Sequence, residues 1–312
     1  MLALLFPGQG SQEVGMGRDV CEASPAARAV FAAADRALGF PLSKLCFEGP
    51  EAELRRTEIQ QPAILTTSVA LLRALEERGP VVPAYVAGHS LGEYSALVAS
   101  GALPLESAVA LVHARGRYMQ EAVPEGRGAM AAILGAEADV VAGSCADAAR
   151  ETGGVVEPAN WNSPLQTVIA GEAAAVKRAC EVARERGAKK AVPLAVSAPF
   201  HCSLMRPAAE KLAAELAGVR FAAPRVPVVT NVEAAPNADP ARIPDLLRRQ
   251  VTAPVRFTES VRAMAALGVS KVLEVGPGRV LGGLVARIER GLERASLSRA
   301  AELADAAAFA RT

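Results

Sequence analysis

"AYVAGHSLGEYSALVASG", residues 84–101, sets a serine between two glycines where an apolar run meets a segment of helical period. The pattern fits the GxSxG elbow, in which a serine sits on a sharp strand-to-helix turn and the flanking glycines relieve crowding at strained backbone. Short Gly/Ser turns are common, so the flanks decide the reading: "AYVAG" supplies the strand and "LGEYSALVASG" the helix. The stretch predicts an α/β fold with Ser90 as a candidate nucleophile.

Outward from the elbow, "LALLF" (2–6) reads as a buried strand, and "PAARAVFAAADRAL" (25–38), "ILTTSVALLRALEE" (64–77) and "LESAVALVHARGRYMQEAV" (105–123) read as helices. Apolar runs alternating with helical periods predict a central parallel sheet covered by helices. Near Gly126 the rhythm changes to strand "GAMAAILG", helix "EADVVAGSCADAAR", strands "VVEPANW" and "QTVIAG", helix "EAAAVKRACEVARERG" and strand "KKAVPLAV". This β-α-β-β-α-β order is the ferredoxin-like signature. Residues 126–196 are therefore expected to form a small inserted subdomain, and 1–125 with 197–312 the large domain. After Pro199 the earlier rhythm resumes, through "VPVVTN", "PDLLRRQV" and "SKVLEVG", and the alanine-rich tail from Ala300 to Thr312 reads as a terminal helix.

Of 312 residues, 51% are apolar and 21% charged, which argues for a compact globule rather than disorder. Lys and Arg (34) balance Asp and Glu (33), so neither nucleic acid nor a charged membrane surface is expected as principal partner. The opening "MLALLFPGQG" has no basic n-region or small-residue cleavage site, which argues against a signal peptide. No apolar run reaches the roughly 20 residues of a membrane span. Cys21, Cys46, Cys145, Cys180 and Cys202 are odd in number and never in CxxC spacing, which disfavours a disulfide framework and a zinc site. A cytoplasmic location is expected; oligomeric state is open, with a monomer the default.

A serine hydroxyl needs a base, and histidine suits that task at neutral pH. His89 adjoins Ser90, and on a tight turn the two side chains diverge, so His89 is a pocket-lining candidate. His113 falls mid-helix and reads as a packing residue. His201, in "SAPFHCSLM", follows the serine in the order expected of such elbows, with Pro199 enforcing an extended entry. No Asp or Glu near it recommends itself as orienting partner, and a main-chain carbonyl can serve instead. The Leu91 amide, following the nucleophile, is the first candidate oxyanion donor; the second is sought in "FPGQGSQ" (6–12), which alternatively is an ordinary Gly/Pro turn.

Taken together, "FPGQGSQ", "GHSLGEYSAL" (88–97), "RGRYMQEAVPEG" (115–126), "NWNSP" (160–164), "SAPFH" (197–201), "RRQV" (248–251) and "EVGPG" (274–278) resemble, in order and through nearly the whole chain, the malonyl-CoA:acyl-carrier-protein transacylases of fatty acid and polyketide synthesis. The resemblance implies a hydrolase-like α/β core with a ferredoxin-like insertion. It implies Ser90 as the acylated nucleophile, His201 as general base and acid, and the amides of Gln9 and Leu91 as the oxyanion hole. It further implies that the Gln250 backbone carbonyl holds His201, so that substitution at Gln250 would be mild if the backbone stays put.

Arg115, on sequence alone a solvated helix arginine, is implied to grip the malonyl carboxylate, for which a planar guanidinium offers two parallel hydrogen bonds. Phe200 is implied to crowd an α-methyl branch, favouring malonyl over methylmalonyl. Asn160 and Asn162 lie in a family motif near the cleft or cap a turn. The implied substrates are malonyl-CoA and phosphopantetheinylated acyl carrier protein, with no metal or bound cofactor. Carrier proteins are generally acidic, so a basic docking patch is expected, with Lys189 and Lys190 either part of it or a solvated strand edge. Two rivals stand beside this reading. A serine thioesterase or esterase would share the elbow but need no carboxylate clamp, and a catalytically idle docking module would need neither Ser90 nor His201.

Overall fold

The computed structural model describes residues 1–311; Thr312, the end of the tail read as helical, lies outside them. Among the described residues ten strands form two sheets: β1 (Leu2–Phe6), β2 (Tyr85–Gly88), β3 (Gly128–Leu134), β4 (Val156–Ser163), β5 (Gln166–Glu172), β6 (Lys190–Pro193), β7 (Val228–Val229), β8 (Pro236–Asn237), β9 (Lys271–Val275) and β10 (Glu293–Leu297). The larger sheet runs β10-β9-β1-β2-β7-β8 and the smaller β4-β5-β3-β6.

β1 sits at the centre of the larger sheet, and its pleat explains the covering. Leu2, Leu4 and Phe6 point into one core with the helix Thr57–Glu76, while Ala3 and Leu5 point into another with Phe257, Val261 and Leu284. A strand apolar on both faces requires helices on both, which is why it reads as a continuous apolar run rather than an alternation. The small sheet is antiparallel throughout, with helices Ala138–Thr152 and Ala173–Glu185 packed on Ile133, Val156 and Ile169. Its other face, through Met130, Ala132 and Val168, joins the main core.

The structure departs from expectation in several places. The central sheet is parallel only from β10 to β7, because a short connection returns β8 antiparallel to β7 at the edge. Pro236, which has no N–H to donate, is tolerated there because the edge strand needs no second partner. β10, "ERASL", lacks a continuous apolar run, and the patterns gave no sign of it. β6 ends at Pro193 rather than Val196, leaving 194–197 as irregular chain.

The helix expected from Ile64 begins at Thr57 and runs through Pro62. A proline inside a helix leaves the carbonyl four residues back without its donor. That carbonyl belongs to Glu58, and His113 Nδ1 lies 2.8 Å from it. His113 is thus a packing histidine with a stated task. Close approach of the two helices is allowed by Gly116, where a Cβ would stand 2.6 Å from the Thr57 carbonyl oxygen.

Candidate active site

β1 and β2 pair in parallel with Phe6 opposite Gly88, so the loop after β1 and the elbow after β2 emerge side by side. Ser90 has φ 52°, in the left-handed region. A Cβ on Gly88 would stand 1.9 Å from the Gly92 carbonyl carbon, and one on Gly92 would stand 2.0 Å from the Phe6 carbonyl oxygen. Both elbow positions therefore require glycine, and the tightness that excludes side chains also seats the helix Gly92–Ala99 on β1. The strained turn is braced by side chains: the Ser90 N–H donates to Asn231 Oδ1 at 2.7 Å, and Gln250 Nε2 donates to the Ser90 carbonyl at 3.1 Å.

His201 also adopts a positive φ, 62°. Its Nδ1 lies 2.9 Å from the Gln250 carbonyl oxygen and its Nε2 lies 2.7 Å from Ser90 Oγ. A carbonyl only accepts, so Nδ1 carries the proton and Nε2 presents its lone pair to the serine hydroxyl. Burial, and after it the Arg115 guanidinium, push the His201 pKa down to about 3, which keeps the imidazole neutral throughout the neutral range. The turn after it is tied to the small sheet, where Glu157 on β4 accepts from both the Ser203 N–H (2.7 Å) and the Ser203 hydroxyl (2.8 Å).

Arg115 is fully buried on the helix Leu105–Glu121. It meets only neutral acceptors: Nη1 donates to Gln61 Oε1 at 2.7 Å, and Nη2 donates to Gln250 Oε1 at 3.0 Å and to Ser90 Oγ at 3.1 Å. Among the described residues Nε has no hydrogen-bond partner. Tyr94 stacks on the guanidinium at 5.6 Å, and burial lowers the Arg115 pKa against the opposing pull of Tyr94 and Glu93. A buried cation lacking a carboxylate partner is costly to maintain, and the orphaned Nε adds to that cost.

Above Ser90 opens a cavity of about 610 Å³ between the two sheets. Gln9, His89, Ser90, Phe200 and His201 line it from the large sheet's side, and Met130, Asn160 and residues 194–197 from the other. Among the described residues neither the Gln9 nor the Leu91 amide donates a hydrogen bond, whereas the Gln9 side chain is tied to Gln60 Oε1 at 2.6 Å. Asn162 Oδ1 lies 2.8 Å from His89 Nε2, and the Trp161 N–H donates to the Val255 carbonyl at 2.9 Å, anchoring β4 beside the helix Phe257–Ala266. No group of three or more His, Cys, Asp or Glu among the described residues is placed to hold a metal ion. All five cysteines are buried and free.

Of the residues singled out in the sequence, Gln9, His89, Ser90, Asn160, Phe200 and His201 line this one cavity, and Arg115, Gln250 and Asn162 are hydrogen-bonded to Ser90, His201 and His89 at its wall. Gln250 differs from expectation in one respect: its side chain bridges Arg115 and the elbow, so it contributes more than a carbonyl. Lys189 and Lys190 sit at the far end of β6 from the cavity-lining residues that follow its other end; Arg55 is the basic residue at the cavity wall. Sequence reasoning passed over Glu93, Asn231, Gln60 and Gln61. Asn231 carried a readable signal, being a polar residue just past the apolar strand β7, whose pairing with β2 sets it beside the elbow.

Comparison with known proteins agrees with this geometry. The acyl transferase domain model matches residues 3–307. The malonyl CoA-acyl carrier protein transacylase of Escherichia coli K12 is 51% identical over 304 residues, covering 97% of this chain and 98% of that one. The crystal structure of an acyl carrier protein S-malonyltransferase from Vibrio cholerae superposes with a TM-score of 0.95 at 49% identity, covering 97% of this chain and 99% of that one. A malonyl-transacylase in complex with its type II PKS acyl-carrier protein gives 0.96 at 47% identity, with 99% of each chain covered. With matched motifs, matched fold and half-identity running nearly end to end, the chain belongs to the acyl transferase family.

Proposed function

We propose that the protein transfers a malonyl group from malonyl-CoA to the phosphopantetheine thiol of acyl carrier protein, through a malonyl ester on Ser90. The observation that carries the reading is the convergence on one oxygen: His201 Nε2 and Arg115 Nη2 both contact Ser90 Oγ, at 2.7 and 3.1 Å. The first contact supplies a base. The second sets a guanidinium without a carboxylate partner where an acyl chain on Oγ begins.

In the first half-reaction the Ser90 proton passes to His201 Nε2 as Oγ bonds to the thioester carbon. The amides of Gln9 and Leu91 receive the oxyanion, and the C–S bond breaks as His201 returns the proton to the CoA sulfur. In the second, the carrier thiol gives its proton to His201 as its sulfur bonds to the ester carbon, and the C–O bond to Ser90 breaks as His201 returns that proton to Oγ. These steps use protein groups alone. Residues 126–196 serve as the subdomain closing one side of the cleft, Phe200 limits room beside the reacting carbon, and His89 with Asn160 and Asn162 shapes the wall. No helix of the described residues is long and apolar enough to cross a membrane. Intact-protein mass spectrometry after brief incubation with malonyl-CoA, and then with holo carrier protein, tests the reading. A malonyl adduct that moves to the carrier is expected, and CoA release without adduct or malonyl-carrier would instead identify a hydrolase.

Arg115→Ala is expected to lower the preference for malonyl over acetyl by about 10²–10³-fold, since breaking a buried ion pair costs roughly 3–5 kcal/mol and ~1.4 kcal/mol is a factor of ten. Adduct rates with the two CoA esters measure it. An unchanged ratio would remove the carboxylate clamp from the mechanism.

The lowered His201 pKa has a kinetic consequence. A base whose pKa is depressed stays available through the neutral range and is lost only as pH falls toward the lowered value. Inactivation of Ser90 by an uncharged sulfonyl fluoride should therefore stay level from pH 8 down to about 5 and fall only below it. Glu93, pushed up to about 7 by burial, titrates nearer neutrality but contacts neither Ser90 Oγ nor His201. A midpoint at 6.5 would contradict the burial argument.

A further inference from the structure

We propose that Glu93 is a positioning residue that locks the Gln250 side-chain amide and the Ser90 elbow into one unit, and so aims Arg115 at a carboxylate-bearing acyl group. This rests on the reading of Arg115 as a carboxylate clamp. Glu93 lies on the elbow helix three residues after Ser90 and is 2% exposed. One of its oxygens, Oε2, accepts from Gln250 Nε2 at 2.7 Å and from the Asn231 N–H at 3.0 Å. Each arm leads to a reacting group.

Through the first arm, Glu93 decides which way the Gln250 amide faces. With Nε2 turned to the carboxylate, Oε1 faces Arg115 Nη2 at 3.0 Å. The reverse orientation would set an NH₂ donor against a guanidinium donor. Through the second arm, Asn231 is held so that its side chain brackets the elbow: Oδ1 accepts from the Ser90 N–H at 2.7 Å and Nδ2 donates to the Gly88 carbonyl at 2.6 Å. Glu93 makes no ion pair with Arg115, whose polar partners are Gln61, Gln250 and Ser90, so the guanidinium is aligned without being occupied by a carboxylate. Because both donors use the same oxygen, a glutamine whose Oε1 takes the place of Oε2 preserves the pattern.

The test compares malonyl and acetyl adduct rates in Glu93→Ala, Glu93→Gln and Arg115→Ala, with thermal melting of each. Glu93→Ala is expected to reduce the malonyl-over-acetyl ratio by about tenfold or more, with Glu93→Gln within about threefold of the parent, because only the first removes the shared acceptor. A purely structural role would lower both rates together and leave the ratio intact, which would overturn the proposal, as would equal losses of ratio in the alanine and glutamine variants. Should Glu93→Ala fail to fold, Glu93→Asp carries the same test, because its shorter side chain draws the shared acceptor back from Gln250 Nε2 and the Asn231 N–H: a fallen ratio supports the relay and an unchanged one overturns it. If Arg115→Ala leaves the ratio unchanged, the clamp itself fails; if Arg115→Ala collapses it and Glu93→Ala does not, only the role of Glu93 fails.

Discussion

Ser90→Ala is expected to abolish the malonyl adduct and to slow transfer to carrier protein by at least about 10⁴-fold, the scale of loss when a covalent nucleophile is deleted from a working site. What remains is direct attack by the carrier thiol, helped by the two oxyanion amides and by binding alone. The loss should not come from unfolding. The contacts that brace the elbow run to the main chain of residue 90, to its N–H from Asn231 and to its carbonyl from Gln250, and an alanine keeps both. Serine and alanine both carry a Cβ into the positive-φ conformation, so the backbone strain changes little. His201 Nε2 and Arg115 Nη2 lose one partner each. Melting should shift by no more than a degree or a few, in line with about 1 kcal/mol. Mass spectrometry and a thermal melt on the same sample decide the matter. An adduct retained in Ser90→Ala would move the nucleophile elsewhere, and a collapsed melt would make the loss uninformative about chemistry.

The elbow was legible because its chemistry is local. Gly88, Ser90 and Gly92 act within one turn of chain, and the clash distances at the two glycines are set by residues no farther than the adjoining strand. Arg115 was misjudged as solvated on sequence alone, yet the signal was present. Ala108, Leu111, Val112, Arg115 and Met119 are spaced as one face of a helix, and all are buried. A charge on an apolar face is the informative exception to burial rules, and here it reaches to 3.1 Å from the elbow serine hydroxyl. The family resemblance reached the same residue by another route.

Glu93 and Asn231 were harder to read, because their task exists only across the fold. Asn231 reaches a residue 141 positions away, and Glu93 joins residues 138 and 157 positions from it. No local period records such contacts. The start of the helix Thr57–Glu76 was missed for a similar reason. Proline reads as a boundary, and it is overridden here only because His113, in another helix, faces the carbonyl that Pro62 leaves open. β10 illustrates a third limit. An edge strand covered on one side needs no continuous apolar run, so "ERASL" has nothing to distinguish it from a loop.

Replacing His201 by alanine is expected to slow acylation of Ser90 by about two to four powers of ten, the range of general-base catalysis by a positioned side chain. The hydroxyl would keep its contact with Arg115 Nη2, which donates and therefore cannot take the proton. The Gln250 carbonyl would also lose the Nδ1 donor that orients the ring. Alanine alone does not separate two causes of a lost rate, a missing base and a relaxed backbone, because residue 201 sits at φ 62°. Asparagine separates the two causes. It is the side chain best tolerated in the left-handed region after glycine, yet its amide is not basic enough to accept a hydroxyl proton. His201→Asn should therefore match His201→Ala in rate while melting closer to the parent, and both should lose the acid limb of the pH profile, since the group that titrates is gone. A His201→Asn enzyme that recovered most of the acylation rate would mean that residue 201 shapes the turn and that another group takes the serine proton.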